Sequence, residues 1–214
     1  MKPIMILGGG GHAKVVIAAI ESNKMYSIDG IIDPQLPFGS QILGHRVVGN
    51  DDTLIAMKRR GQLLALGIGS IRADEKRKNI FRKFLELGYR FPTIIHRATT
   101  VHAKTILGEG VQIIAGVVIQ PDVTIGENTI VNSKVLIEHD CYIGSHCHIA
   151  PGALLGGGVN VGDGSFIGLG AKVLPGIKIG AFVTVGAGAV VTRHVEDSKT
   201  VIGIPAREME IART

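Results

Sequence analysis

The 214-residue sequence has no tryptophan, and phenylalanine and tyrosine bring its aromatic content to only 4%. Beside abundant Ile and Val and 30 glycines, that scarcity points away from a core of large rings and toward stacked layers of β-branched side chains. Long hydrophobic runs are also missing. No apolar stretch approaches the roughly 20 residues that cross a bilayer, so neither a membrane span nor a membrane partner is expected. Met1-Lys2-Pro3-Ile4 leads through a short apolar run straight into Gly8-Gly9-Gly10-Gly11, which reads as a strand and a loop and not as a signal peptide. Cysteine is nearly absent: Cys141 and Cys147 are the only two. Without a secretion signal they are expected to be reduced thiols in a cytoplasmic protein. The net charge of +5 suits anionic small ligands. The basic residues do not gather in a block with interleaved aromatics, so nucleic acid is not expected as a partner.

What is present is a repeat. From Val101 through Leu107, Ile113 and Ile119 to Val185 and Val191, every sixth residue is Ile, Val or Leu, with no insertion or deletion. The next residue is Gly at 108, 126, 144, 156, 162, 168, 180 and 186, and four residues after the aliphatic one come small or β-branched groups such as Val111, Cys141, Cys147, Ala153 and Ala189. A six-residue unit is too short for a helical repeat or a propeller blade and suits one short strand with one corner. Three units make a triangular coil, and stacked coils place residue n beside residue n+18 on parallel strands. The aliphatic residue fills the interior, the small one fits a corner, and the glycine is expected to permit unusual backbone there.

The first hundred residues follow a different pattern. A strand over Ile4–Leu7, the glycine loop, a helix over His12–Glu21 with Val15, Val16, Ala19 and Ile20 at helical spacing, and a strand over Ser27–Asp33 ending in an acid form the start of a Rossmann-like unit. Gly8, Gly10 and Ala13 satisfy the dinucleotide spacing, and Asp33 follows about 20 residues on. A helix over Asp52–Arg60, a strand over Leu63–Gly67, a basic helix over Asp74–Leu87 and a strand over Phe91–Ile95 then exhaust the segment. Only one mononucleotide-binding half fits. The loop is therefore expected to hold one nucleotide diphosphate or a sugar against its amides and the helix N-terminus; the alternative is a tight turn without a ligand. The expected division is 1–96 for the Rossmann-like half and 97–214 for the repeat.

The repeat, closed by Val201-Ile202-Gly203-Ile204-Pro205-Ala206-Arg207, resembles the hexapeptide-repeat acyltransferase superfamily. That resemblance implies a left-handed parallel β-helix, usually trimeric, with Pro205 and Arg207 near the nucleotide end of CoA. A small Rossmann-like half with a Gly-Gly-His loop ahead of the prism resembles the nucleotide-amino-sugar N-acetyltransferases of the bacillosamine and perosamine type, and equally the sialic acid O-acetyltransferases. The first resemblance implies that Gly10, Gly11, His12, Asp33 and Gly69 hold the nucleotide sugar. Where many relatives read Ile-Gly-(Asp or Asn)-Asn, this chain has Gly67-Ile68-Gly69-Ser70.

Within an aliphatic and glycine-rich repeat, Glu138-His139-Asp140 with His146 and His148 stands out. An attacking amine must lose a proton, and a histidine oriented by a carboxylate suits that task. The resemblance implies His139 as general base and Asp140 as its support. It further implies acetyl-CoA contacts at His148, Gly157, Leu169 and Ala187, in the groove between prisms of a homotrimer whose site lies between protomers. His146 is expected on the solvated surface. A zinc site among His139, Cys141, His146, Cys147 and His148 is not expected, because both cysteines fall on the inward small-residue phase at different corners, so metal is left out. The expected function is acetyl transfer from acetyl-CoA to the 4-amino group of a nucleotide-linked 4-amino-4,6-dideoxy sugar, in surface polysaccharide or glycan biosynthesis. The alternatives are O-acetylation of sialic acid or a related sugar, and a non-catalytic nucleotide-sugar-binding protein.

Overall fold

The computed structural model describes residues 1–57, 62–73 and 75–209. The chain opens with β1 (Lys2–Leu7), α1 (Gly11–Asn23), β2 (Tyr26–Ile32), β3 (Gln41–Ile42), β4 (His45–Gly49), α2 (Asp51–Ala56), β5 (Leu63–Leu66) and α3 (Lys76–Glu86). The sheet order is β3-β4-β2-β1-β5, parallel except for the β3–β4 hairpin. The central strand β1 and its neighbour β5 are mostly buried, as their near-continuous apolar sequence requires. Residues 58–60 of the helix expected over Asp52–Arg60, and Asp74 of the basic helix, lie outside the described residues. The β3–β4 hairpin was not expected from sequence. Its turn puts Leu43 and Gly44 at φ 48° and 85°, and leucine gives no signal for that conformation.

The repeat folds as a triangular prism. Its front sheet begins at Ile94–Ile95 and climbs through Gln112–Ile113, Ile130–Val131, His148–Ile149, Phe166–Ile167 and Thr184–Val185 to Thr200–Ile202. The second sheet runs from Thr100–Val101 to Val190–Val191, and the third from Ile106–Leu107 to Lys178–Ile179. Pairing is parallel with a constant step of 18, as in Val118↔Leu136↔Leu154, until the top coil, where Thr184 pairs with Thr200. The chain leaves the front sheet by a downstream edge, passes a far edge between the second and third sheets, and returns by an upstream edge. The strand expected over Phe91–Ile95 does not join the N-terminal sheet: Ile94–Ile95 pairs with Gln112–Ile113 as the first rung of the front sheet.

Inside the prism the aliphatic and small phases form one continuous core, with Ile113, Ile137, Cys141, Cys147 and Val185 all buried. The glycine after each aliphatic residue has a different reason from the one expected. A Cβ on Gly126 would lie 2.5 Å from the Ser145 amide nitrogen, and one on Gly162 would lie 2.6 Å from that of Ala181. These glycines allow the next coil to stack. The left-handed backbone falls two residues later, at Gly110, Asp122, Asn128, Lys134, Asp140 and His146 among others.

The N-terminal half sits on the front sheet and its two flanking edges. α1 packs its buried Val16, Ile17 and Ile20 in one core with Ile94 and Ile114, and α3 sets Phe81 against Phe91 and the ring of His146. The outward residues of the front sheet are accordingly buried, including Ile94, Gln112, Ile130 and His148. Their counterparts Leu154 and Lys172 on the second sheet, and Tyr142, Asn160 and Lys178 on the third, are exposed.

Candidate active site

A cleft of about 350 Å³ opens at the C-terminal ends of β1 and β2, lined by Gly8, Gly10, Gly11, His12, Asp33, Gln35, Gly67, Ile68, Gly69 and Lys76 among others. The switch point of a doubly wound sheet is where such folds bind ligands. The four glycines of its loop divide into two pairs. Gly8 has φ 90° and a Cβ there would meet Ile68, and a Cβ on Gly9 would run into Leu36 and Ile42. The fold itself requires both. Gly10 and Gly11 have no atom within 4 Å of such a Cβ, and Gly10 has an ordinary φ of −75°. Their missing side chains leave open space on the cleft side. α1 begins there with no side-chain cap and no acid in its first turn, so its positive end faces the cleft uncompensated.

Asp33 lies at the cleft with both carboxylate oxygens engaged. Oδ2 accepts from the Gly9 amide at 2.7 Å, and Oδ1 accepts from Gln35 at 2.8 Å and Leu36 at 3.2 Å. It braces the glycine loop as well as lining the cleft. His12, in the first turn of α1, is half-buried and lines the cleft. Gln112 donates its Nε2 to the Leu66 carbonyl at 2.8 Å, which leaves its Oε1 to accept from His12 Nε2 at 2.9 Å. Burial, reinforced by Arg77 and opposed by the Gln112 bond, pulls His12 down to about 4. The imidazole is neutral, with its Nδ1 lone pair beside Gly69.

A second centre stands on the far edge. On a straight strand the neighbours His139 and Asp140 would point to opposite sides. Here Asp140 takes φ 59° at the corner, a conformation aspartate tolerates, and its Oδ2 accepts from His139 Nδ1 at 2.7 Å. That bond fixes the tautomer with the proton on Nδ1 and leaves the Nε2 lone pair free. The hydrogen bond that His139 donates to Asp140 raises its pKa most; desolvation opposes it, and the charges of Asp140 and Glu138 add to the rise. Gly157, one coil up, lies against the ring: a Cβ there would be 2.8 Å from Nε2. Glycine thus makes the seat for the imidazole, whose side chain remains 63% exposed.

Comparison with known proteins places these features in a family. Residues 3–84 match the PglD N-terminal domain, residues 104–139 and 122–157 match the bacterial transferase hexapeptide (six repeats), and residues 158–193 match the hexapeptide repeat of succinyl-transferase. No curated protein sequence matches the chain. Among solved structures, it is similar to a variant of GDP-perosamine N-acetyltransferase from Caulobacter crescentus in complex with CoA and GDP-perosamine. The identity is 38% over 99% of this chain and 98% of that one, with a TM-score of 0.91. The acetyltransferase domain of PglB from Neisseria gonorrhoeae is 30% identical over 98% of this chain and 100% of that one, with a TM-score of 0.90. WeeI from Acinetobacter baumannii is 25% identical over 98% of this chain and all of that one, with a TM-score of 0.86. The chain belongs to the hexapeptide-repeat sugar N-acetyltransferases. It is an acetyl-CoA-dependent acetyltransferase on a left-handed β-helix, preceded by a Rossmann-like half.

The acetyltransferase distributes its sequence-predicted cofactor residues over three places. Gly157 is on the far edge with His139. Leu169 and Ala187 are exposed on the downstream edge, one above the other, and the tail carrying Pro205 and Arg207 folds back there, with Ala206 donating its amide to the Val190 carbonyl at 2.8 Å. His148 is on the front sheet beneath the N-terminal half. Its Nδ1 donates to the Ser70 carbonyl at 2.9 Å and its Nε2 accepts from Asn132 at 3.1 Å. Burial, with His12 and Arg77, pulls it down to about 3. Within one chain His148 therefore keeps company with His12, at 6.3 Å between ring centroids, and not with His139.

His146 corrects an expectation. It is not a solvated turn residue; its side chain is 6% exposed, set edge-on to Phe81 and accepting from Asn128 Nδ2 at 3.0 Å. Burial, then Arg82 and Lys78, lowers it to about 4. Cys141 and Cys147 lie inside the prism, where burial pushes their thiols up to about 11 and 12. Among the described residues, no three His, Cys, Asp or Glu side chains are arranged to hold a metal ion. Sequence reasoning missed Gln112, Lys76 and Arg77. Gln112 had a signal: it belongs to the front-sheet outward row Ile94, Gln112, Ile130, His148 and Phe166, which is uncharged because the N-terminal half covers it.

Proposed function

We propose that this acetyltransferase moves acetyl from acetyl-CoA to the 4-amino group of a nucleotide-linked 4-amino-4,6-dideoxy sugar, as a cytoplasmic step in making a surface polysaccharide or glycan. The observation that carries the reading is the whole-length likeness to a perosamine N-acetyltransferase bound to CoA and GDP-perosamine, together with the cleft and the His139–Asp140 pair. Residues 1–96 hold the nucleotide sugar, through Gly10, Gly11, His12, Asp33 and Gly69. Residues 97–214 hold acetyl-CoA and carry the chemistry.

Acetyl-CoA supplies an acyl carbon activated as a thioester. His139 Nε2 accepts the proton that the sugar amine releases as it attacks the thioester carbonyl. The C–N bond forms, the C–S bond breaks, and CoA leaves as a thiolate that takes up a proton from the imidazolium or solvent. Asp140 holds the imidazole and stabilises its charged form. The small and apolar residues Gly157, Leu169 and Ala187 leave a path for the pantetheine arm, with Pro205 and Arg207 at its nucleotide end. One chain separates these parts. The hydrogen bonds and ring contacts between the halves use the front sheet and its two flanking edges, at Gln112, Asn128, His148, Thr184, Phe182 and Arg97. His139 stands on the third edge. A sugar in the cleft of one chain reaches a His139 supplied by a neighbour, so the working form is a homotrimer with the site between protomers.

The test is a thiol-release assay with acetyl-CoA against UDP-, GDP- and dTDP-linked 4-amino sugars and free or CMP-linked sialic acid. Turnover is expected with an amino sugar nucleotide. Turnover of sialic acid alone would replace this reading with O-acetylation, and no turnover with CoA still bound would favour a binding protein.

A further inference from the structure

α3 turns three residues inward along one face: Arg77, Phe81 and Phe84. Two are rings in the N-terminal core. The first is a guanidinium, 4% exposed, at a position where an apolar side chain is the ordinary solution. A buried cation normally has a carboxylate beside it. Arg77 makes no ion pair among the described residues. Its partners are backbone carbonyls: Nη1 donates to Ile68 at 2.5 Å and Leu66 at 3.4 Å, and Nε donates to Asn128 at 3.3 Å. Nη2 is buried with no partner. Burial alone draws the guanidinium down to about 9. A charge kept at this cost and left unpaired is held for its geometry.

The three carbonyls show what that geometry does. Leu66 and Ile68 bracket Gly67, at the end of β5, where the chain becomes the wall of the cleft. On the cleft side this wall touches the parts that face a ligand. Gly67 lies so close to the Gly8 carbonyl that a Cβ would collide with it, Ile68 covers Gly8, and Gly69 lies against the His12 ring. On the other side stand Arg77 and Gln112, the latter donating to the same Leu66 carbonyl and receiving His12. The Asn128 carbonyl belongs to the upstream edge of the prism. A rigid planar fork can hold carbonyls from two halves of a molecule at once; a lysine, as a single point donor on a flexible stem, cannot.

We infer that Arg77 is a positioning residue for nucleotide-sugar binding: from behind the cleft it fixes the 66–69 wall, and through that wall His12 and the glycine loop, against the prism. The inference rests on the reading of the cleft as the nucleotide-sugar site. Arg77 does not line the cleft, so it acts through the wall, and its loss is expected to fall on sugar binding.

Arg77→Lys is the first test. Amide hydrogen exchange in wild type and variant should show faster exchange confined to residues 66–70, where the Gly67 amide donates to the Leu7 carbonyl at 2.7 Å. KM for the nucleotide sugar should rise by on the order of 10- to 100-fold, the scale of a small misplacement, while KM for acetyl-CoA stays within about twofold. Arg77→Met, which removes the buried charge altogether, replaces the lysine variant if that fails to fold and should show the same split. Tyr89→Phe is the stability control. It deletes the hydroxyl that donates to the Leu54 carbonyl at 2.9 Å, and should lower Tm without moving either KM. Unchanged exchange at 66–70, or both KM values rising together, overturns the inference. Failure of the function itself reads differently: wild type would turn over no nucleotide sugar, and the exchange measurement would still decide whether Arg77 holds the wall.

Discussion

At the scale of single residues, two kinds of group do separable work. His139 is suited to the proposed role of base because a corner residue in left-handed backbone brings its own carboxylate to the imidazole of its chain neighbour. His139→Ala should therefore cut kcat by about 10²–10⁴, the usual contribution of a positioned base, and leave KM for acetyl-CoA within a few-fold. Asp140→Asn keeps the corner, since asparagine also accepts φ near 60°, but removes the charge that raises the His139 pKa. The base then stays neutral to lower pH, so the acid limb of the kcat profile should move downward while kcat falls less than in His139→Ala. If the sugar amine arrives already deprotonated, His139→Ala would recover fully at high pH, and proton removal would be discarded as the role of His139. Gly11 works by leaving space at the positive end of α1. Gly11→Asp puts a carboxylate where helices welcome one and where an anionic ligand must sit. Differential scanning should show Tm unchanged or slightly raised. KM for the nucleotide sugar should rise by about 100-fold or more, as close like charges do when they must share a site. A variant with normal sugar binding would mean that the glycine loop faces no anion.

At the scale of elements, the prism was legible because each step of six contributes one inward residue, and that constraint survives any choice of surface. The role of its glycines was not, because stacking distance depends on the coil 18 residues away and leaves no local mark. The distinction is testable. Gly162→Ala drives a Cβ into the backbone of the next coil, 2.6 Å from Ala181 N, and should cost about 2 kcal/mol or more, as overpacking does. Gly176→Asn sits at φ 71° with open space around it and should cost about 1 kcal/mol or less. Equal losses in urea unfolding would show that stacking distance does not set Gly162 apart from Gly176. The same dependence on distant partners explains the other differences. Ile94–Ile95 reads as a strand in any sheet, and only Gln112–Ile113 decides which. His146 reads as a solvated turn until Phe81, far back in the chain, covers it. Arg77 looks like one more cation in a basic helix, since sequence does not say which face of α3 turns inward. His139 and Asp140 were legible because their contact is between neighbours.

At the scale of the whole molecule, the question is how a cleft on one side of the prism serves a base on the opposite edge. The N-terminal half is fixed on the front sheet by a shared apolar core, by Gln112, by Arg77 and by the pair Arg82–Glu127 at 2.6 Å. Swinging it around to the far edge would break all of these, so movement within one chain is a poor answer. The proposed cyclic assembly is a better one, because a heterologous contact repeated around a three-fold axis would bring the far edge of each prism to its neighbour's cleft. The two halves of the site can then be inactivated on different chains. His139→Ala has an intact cleft and no base; Gly11→Asp has a base and an impaired cleft. Each alone should be nearly inactive at modest nucleotide-sugar concentration. Unfolded together, mixed in equal amounts and refolded, the two variants should regain about a quarter of wild-type activity, since random assembly gives that chance of an intact cleft meeting an intact neighbouring base. Mixing without refolding should restore little if assembly is stable. Sedimentation of the same samples should report three chains per particle. No recovery in co-refolded trimers would mean that each chain presents its own His139 to its own cleft, and an active monomer would reject the shared site outright.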